Sequence, residues 1–307
     1  EKIRDLGRLA LAKAEIDREK SNPEQAEEET RSLPQEEEAP HTAGTAEERL
    51  LAFIGGKAES ALLMDAFNIL LEEDIFRTNP QALEKLNGWV KARDASRQPA
   101  AMYAMGSLLL EKDDLSGTVK MAEEGLSKYP QSLPVQILSL NTITVLLDKN
   151  RLQDAERLIS KYPGSSPDLV FQQGALAFLK KDYSLAQKFF REAARRASET
   201  TAENALFNEN LAALNANDAS GAAALIKEAS GSSRLRESIL FEQAHYAAKR
   251  MAPQAAELLA NFITLAETPA LKTQARLDQV EVALNLNPPD LETVQAILPL
   301  LEKEQLS

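Results

Sequence analysis

Apolar residues recur at intervals of three and four along most of the chain, which is the spacing of one face of an α-helix. The first such stripe is formed by Ile3, Leu6, Leu9, Ala10 and Ile16, with the polar Lys13 among them. Few stretches alternate apolar and polar residues in the way that a half-buried strand does. Alanine, leucine, glutamate and lysine dominate the composition, and all four are strong helix formers. The pattern predicts an all-α fold.

Changes in composition along the chain indicate five segments. Residues 21–45 are rich in Glu, Pro and Ser, so this stretch cannot bury enough apolar surface to offset its ordering entropy. Thr45 followed by Glu48 predicts a capping box at the start of the next helix. We predict an amphipathic helix over residues 1–20, tethered by a flexible acidic linker over residues 21–45. An N-terminal helical cap with irregular repeats follows over residues 46–98, then a region of repeats over residues 99–265 and a divergent C-terminal helix pair over residues 266–307.

Small and aromatic residues recur at fixed distances in the region of repeats. The best copy contains Gly174, Asp182, Ala186, Phe190 and Ala193. The corresponding residues 68 positions earlier, a distance of two units of 34, are Gly106, Asp114, Thr118, Ala122 and Gly125. Later copies follow at offsets of 36 and then 33 residues, with Asp218, Ala222, Ile226 and Ala229, and then Ala255, Leu259 and Phe262. Agreement in register between independent positions indicates a helical repeat.

In spacing and residue type, the best copy resembles the tetratricopeptide repeat, a helix–turn–helix unit of 34 residues. The resemblance covers about residues 99–262 and is looser toward both ends, where a related α-solenoid with irregular pairs is the alternative. It implies a right-handed α-solenoid of antiparallel helix pairs. It also implies that Gly174 lets two helices approach backbone to backbone and that Phe190 fills the space between neighbouring pairs.

In this family the first helix of each pair lines a concave groove, and the resemblance implies that a polypeptide binds there. The candidate binding positions are Tyr103, Phe171, Phe178, Asn204, Phe207, Leu211 and Leu214. Family members that clamp the acidic C-terminus of chaperones carry Lys, Asn and Arg at such positions. The residues of this chain predict an apolar groove instead of that carboxylate clamp. The alternative assigns Phe171, Phe178 and Phe207 to packing between repeats.

The motifs of catalysis and of cofactor binding are absent from the sequence. The chain has no cysteine, which excludes disulfides, thiolate metal sites and cysteine nucleophiles. Its two histidines, His41 and His245, lack a partner at metal-ligand spacing. The Gly55-Gly56-Lys57 stretch lacks the upstream glycine and the following Ser or Thr of a phosphate loop. We therefore predict a protein that is not an enzyme and holds no cofactor and no metal.

The net charge of −12 disfavours nucleic acid and anionic membrane surfaces as partners. The sequence has no run of about 20 apolar residues, so we expect no direct membrane insertion. Because the chain begins at Glu1 and not at methionine, we interpret it as shortened by truncation, by a signal peptidase or by a cut after a membrane anchor. This interpretation favours a bacterial protein of the periplasm or envelope.

The predicted function is that of an interaction scaffold, which holds a protein or peptide partner within a multiprotein assembly. Two alternatives remain at this point. The first is a structural subunit of a bacterial envelope or secretion complex that associates with further copies of itself as a homo-oligomer. The second is an accessory domain of a larger enzyme. The scaffold prediction depends on the family resemblance, because a fold alone does not determine a function.

Overall fold

A computed structural model describes Lys13, Ile16 and residues 45–56, 60–92 and 94–305. These residues form sixteen α-helices between Ala46 and Gln305 and no strand, which confirms the predicted all-α fold. None of the described helices is long and apolar enough to cross a membrane. The chain divides into two compact units, Glu1–Gly164 and Ser165–Ser307, and the division falls inside the predicted repeats.

The predicted N-terminal helix and linker lie outside the described residues, except for Lys13, Ile16 and Thr45. Ile16 is 3% exposed and belongs to the hydrophobic core of the N-terminal unit, while Lys13 Nζ lies 3.2 Å from Glu72 Oε2. The predicted capping box is confirmed, because the Thr45 hydroxyl accepts from the Glu48 amide and the Glu48 carboxylate accepts from the Thr45 amide.

The N-terminal unit contains eight of the described helices. They are α1 (Ala46–Gly55), α2 (Ser60–Glu72), α3 (Ile75–Thr78), α4 (Pro80–Lys91), α5 (Gln98–Glu111), α6 (Leu115–Lys128), α7 (Leu133–Asp148) and α8 (Leu152–Lys161). Helices α5 and α6 form one hairpin and α7 and α8 the next. The two hairpins pack side by side, because α5 contacts α7 and α6 contacts both α7 and α8.

The C-terminal unit contains the other eight described helices and one 3₁₀ turn, Ala229–Gly231. The helices are α9 (Pro167–Leu179), α10 (Tyr183–Arg196), α11 (Glu199–Asn215), α12 (Ala219–Glu228), α13 (Ser233–Lys249), α14 (Ala255–Leu265), α15 (Pro269–Leu284) and α16 (Leu291–Gln305). They form four successive hairpins. Each helix contacts the next, and the first helices α9, α11, α13 and α15 also contact one another in that order.

The same turn closes five hairpins, two in the N-terminal unit and three in the C-terminal unit. In each, the second residue after the end of the first helix adopts a positive φ, between 49° and 64°; these residues are Asp113, Asn150, Lys181, Asn217 and Met251. The next amide then donates to a carbonyl five positions earlier, as from Asp114 to Leu109 and from Asp182 to Ala177, both at 2.9 Å. This is the Schellman arrangement, which satisfies the last carbonyls of a helix. Its return every 31–37 residues gives successive hairpins a common geometry.

Three of the turns place an aspartate at the start of the second helix. Asp114, Asp182 and Asp218 each accept a hydrogen bond from an amide three residues later, at 2.9–3.1 Å. A carboxylate at this position satisfies one of the free amides of the first helical turn. The recurring aspartates in the sequence therefore mark the boundary between the two helices of a hairpin.

Two glycines admit a large side chain from a facing helix. A Cβ atom on Gly106 would lie 2.4 Å from Cδ1 of Leu138 in α7, and one on Gly174 would lie 2.7 Å from Cδ1 of Phe190 in α10. Gly174 thus meets an aromatic ring, and the predicted backbone-to-backbone approach stays a prediction. Phe190 is buried with Ala212 of the next hairpin, which confirms that it fills the space between neighbouring pairs.

Replacing Lys181 with glycine should stabilise the protein by about 1 kcal/mol, because glycine adopts positive φ without the clash that a Cβ atom makes. The adjacent Lys180 has φ −75° in the right-handed region and serves as the control. Lys180→Gly should destabilise by about 0.5–1 kcal/mol. Urea unfolding followed by circular dichroism measures both changes. Equal effects of the two substitutions would show that the turn is assigned to the wrong residue.

Gly174→Ala should destabilise the protein by about 1–3 kcal/mol, because the added methyl group overlaps the buried ring of Phe190. Gly88→Ala is the matched control, since its Cβ atom meets nothing within 4 Å and alanine favours the helix by about 0.5–1 kcal/mol. Thermal unfolding measures the difference in sign. In a Phe190→Leu background the loss of stability caused by Gly174→Ala should become much smaller. An undiminished loss of stability would exclude the Phe190 ring as its cause.

Candidate functional site

The predicted binding positions lie on first helices of the hairpins, but in both units. Tyr103 is half-buried on α5 of the N-terminal unit. The other six belong to the C-terminal unit, on α9 and α11, and they are Phe171, Phe178, Asn204, Phe207, Leu211 and Leu214. Helices α9 and α11 contact each other, so these six residues lie on neighbouring helices.

The two phenylalanines of α9 are half-buried and have aromatic neighbours on α10. The ring centroid of Phe171 lies 5.3 Å from that of Phe190, and the centroid of Phe178 lies 5.3 Å from that of Tyr183 in an edge-on arrangement. Both phenylalanines pack against buried alanines of the hairpin. They therefore contribute to the core on one side and expose part of their surface on the other.

Helix α11 carries a stripe at spacings of three and four residues. Asn204 is exposed, and Phe207, Leu211 and Leu214 are half-buried. Phe207 packs against a buried cluster that contains Leu225 and other residues of α12 and α13. The stripe therefore offers one amide and three partly exposed apolar side chains. Binding at these positions stays a prediction.

An ion-pair network that sequence reasoning missed joins three helices. Arg191 of α10 donates from Nε to Glu209 Oε1 of α11 at 2.8 Å and from Nη1 to Glu228 Oε1 of α12 at 2.6 Å. Glu209 is only 5% exposed. The two carboxylates lie 18 and 37 residues from the arginine, so no local pattern in the sequence connects them.

Burial raises the pKa of the Glu209 carboxyl above its ordinary value of 4.5, and the hydrogen bonds and charge of Arg191 offset only part of this rise. Within the described part of the chain, Glu209 Oε2 is buried without a hydrogen-bond partner. An ionised carboxylate with an unsatisfied oxygen is costly to bury. The network therefore orients α10, α11 and α12 at some loss of stability.

His245 has a carboxylate partner that its local sequence does not reveal. Its Nδ1 atom lies 2.6 Å from Oδ2 of Asp278 in α15, and Asp278 is 1% exposed. The ring of Phe241 stacks on the imidazole at a centroid distance of 5.5 Å, and Gln274 donates to the other aspartate oxygen. No three His, Cys, Asp or Glu side chains among the described residues are grouped so that they could hold a metal ion. The pair instead joins two successive first helices.

Polar pairs between successive hairpins recur at about one hairpin length. The separation is 34 residues for Arg77–Glu111 and Arg157–Glu123, 33 for Gln243–Asn210 and His245–Asp278, and 32 for Lys249–Glu281. The exposed pairs among these, such as Lys249–Glu281, add little stability, typically about 0–1 kcal/mol. Their regular separation shows that neighbouring hairpins meet in a similar register.

No protein-family model matches this chain, and no curated protein matches its sequence. The candidate binding positions offer partly exposed apolar side chains on the neighbouring first helices α9 and α11.

Stability should respond to pH through Glu209. Because the folded state holds the Glu209 proton more tightly than the unfolded chain, the free energy of unfolding rises as pH falls through the raised pKa and levels off below 4.5. Glu209→Gln keeps an oxygen for Arg191 and removes this titration. The parent should therefore gain stability relative to Glu209→Gln on acidification, measured by urea unfolding between pH 7 and pH 4.

The exposed Glu228 provides the control for that series. Glu228→Gln should retain most of the increase in the free energy of unfolding that Glu209 causes as pH falls. An ordinary ion pair has a lowered carboxyl pKa and loses stability in acid. A parent that loses stability relative to Glu209→Gln as pH falls would therefore contradict the assignment of Glu209 as a carboxyl that is dominated by desolvation.

Proposed function

We propose that this chain is a non-catalytic scaffold for protein–protein interaction, which binds a polypeptide segment on the first helices of its hairpins. In this proposal the hairpins form a right-handed α-solenoid like that of tetratricopeptide-repeat proteins, and they work without a cofactor in a multiprotein assembly. The common turn and the hairpin length of 31–37 residues support the repeat architecture.

One observation carries the proposed binding site. Phe171, Phe178 and Phe207, with Leu211 and Leu214, expose part of their apolar surface on the neighbouring helices α9 and α11. Aromatic and leucine side chains that are held from behind by a packed core lose little conformational freedom when a partner covers them. Such residues are effective anchors, because burial of their remaining surface stabilises the complex.

The apolar binding positions of α9 and α11 suit a polypeptide better than a small molecule. They are spread over two neighbouring helices, and an apolar segment with side chains at helical or extended spacing can cover them together. The exposed Asn204 can donate to a backbone carbonyl and accept from a backbone amide at the edge of the stripe. Apolar anchoring predicts affinity that changes little with salt, because burial of apolar surface is not screened.

The test is selection of peptides from a displayed library on the purified chain, followed by fluorescence anisotropy with the peptides recovered. We expect peptides with spaced apolar residues, and Leu211→Glu/Leu214→Glu should weaken binding at least about tenfold. These leucines are half-buried, so thermal unfolding must first show that the variant remains folded. The dissociation constant should change less than about threefold between 50 and 500 mM salt.

Leu133→Glu is the matched control, because this leucine is 62% exposed on α7 and is not one of the predicted binding positions. It should bind the selected peptides as the parent does. Equal binding by Leu211→Glu/Leu214→Glu and the parent would place the site elsewhere. A salt dependence as steep as that of charge recognition would contradict the apolar groove.

A further inference from the structure

Exposed leucines are concentrated on the last hairpin, formed by α15 and α16. Six of the eleven large apolar side chains that are most exposed in the described residues lie between Leu277 and Leu300. Leu277, Val280 and Leu284 of α15 lie at positions i, i+3 and i+7, and the two leucines are 46% and 48% exposed. This spacing places the three side chains on one stripe of the helix.

Helix α16 repeats the pattern with Leu291, Val294 and Leu298, whose leucines are 58% and 46% exposed. The two stripes together form what we call the α15–α16 apolar face. Scattered exposed leucines are normal on a protein surface, but two stripes of one spacing on paired helices form a larger patch.

The preceding hairpin uses the equivalent positions of α13 to receive the last hairpin. The C-cap residues Arg250 of α13 and Asn285 of α15 lie 35 residues apart, so Leu277, Val280 and Leu284 correspond to Glu242, His245 and Lys249. That stripe of α13 meets α15, because His245 pairs with Asp278 and Lys249 Nζ lies 2.7 Å from Glu281 Oε2.

The α16 stripe has the same relation to α14. Gln254 and Asp290 directly precede these helices 36 residues apart, so Leu291 and Leu298 correspond to Ala255 and Phe262. Ala255 and Phe262 are buried in a cluster with residues of α15. The α15 stripe therefore occupies positions that, one hairpin earlier, meet a further helix, and the α16 stripe lies on the helix that packs against α15.

We propose that the α15–α16 apolar face is a dimerisation surface that packs against the same face of a second copy of this chain. The stripe of α13 meets α15 through charged and polar pairs, whereas the stripe of α15 offers only leucine and valine. A surface like that of α15, with Asp278 and Glu281, would set carboxylates against these leucines and is a poor complement. A second apolar stripe of the same spacing is a good one.

Twofold symmetry provides this pairing without any other component. In an isologous interface the same patch serves both subunits, and the side chains nearest the axis meet their own counterparts. Leucine and valine at i, i+3 and i+7 interdigitate across paired helices in the manner of knobs into holes. Each copy has a net charge of −12, so added salt reduces repulsion and should strengthen the dimer.

The absence of cysteine makes cross-linking a direct test of the geometry. Leu277→Cys, Val280→Cys and Leu284→Cys introduce single thiols along the stripe, and Leu133→Cys introduces one at an exposed position elsewhere. Mild oxidation of the full chain should link at least one stripe variant into a dimer on non-reducing gels, because residues near the axis meet within disulfide distance. The Leu133→Cys control should stay monomeric on the gel. Equal cross-linking of all four variants would overturn the proposal.

Sedimentation equilibrium provides the second measurement. The parent should be largely dimeric at about 10 μM, and Leu277→Glu/Leu284→Glu should raise the dimer dissociation constant at least about tenfold while its thermal unfolding stays close to that of the parent. Leu133→Glu/Leu179→Glu replaces two other exposed leucines and should dimerise normally. A parent that stays monomeric up to about 100 μM, or a stripe variant that dimerises as the parent does, would overturn the proposal.

Discussion

A left-handed backbone conformation after the first helix is the constraint on which five hairpins depend. It turns the chain so that the next amide bonds back to the helix, and in four of the five hairpins the second helix starts one residue later. Asp113, Asn150 and Asn217 accept this conformation readily, whereas Lys181 and Met251 adopt it at about 1 kcal/mol each. Since the turn fixes how the two helices pair, small residues such as Gly174 can face large ones such as Phe190 in a constant register.

Packing of hairpin on hairpin divides between apolar contacts and polar pairs. Partly buried pairs such as Arg191–Glu209 and His245–Asp278, in which the carboxylate is buried, specify how helices align more than they stabilise the fold, because desolvation offsets much of the attraction. At the last hairpin the equivalent positions carry leucine and valine. The charged and polar stripe of α13 aligns the next hairpin of the same chain. The leucine and valine stripe of α15 suits another apolar surface.

Local features were predictable from the sequence and distant ones were not. The helices and the Thr45 cap follow from periodicity and short-range hydrogen bonding, and the recurring aspartates marked the hairpin turns. Asp278, the partner of His245, lies 33 residues away in the sequence, and Glu209, the partner of Arg191, lies on another helix. Only the packed structure reveals these partners. Periodicity also cannot separate a buried stripe from an exposed one. The leucines of α15 have the spacing of core residues and remain uncovered.

Hydrogen exchange at the turns tests most directly whether one constraint shapes the hairpins. The amides concerned follow the positive-φ residues and belong to Asp114, Arg151, Asp182, Asp218 and Ala252. If all five donate into the preceding helix, each should exchange as slowly as amides in the neighbouring helical turns, while amides of the loop at residues 164–166 exchange quickly. Exchange of these five amides at the rate of an unstructured chain, with the helices still protected, would contradict the common turn.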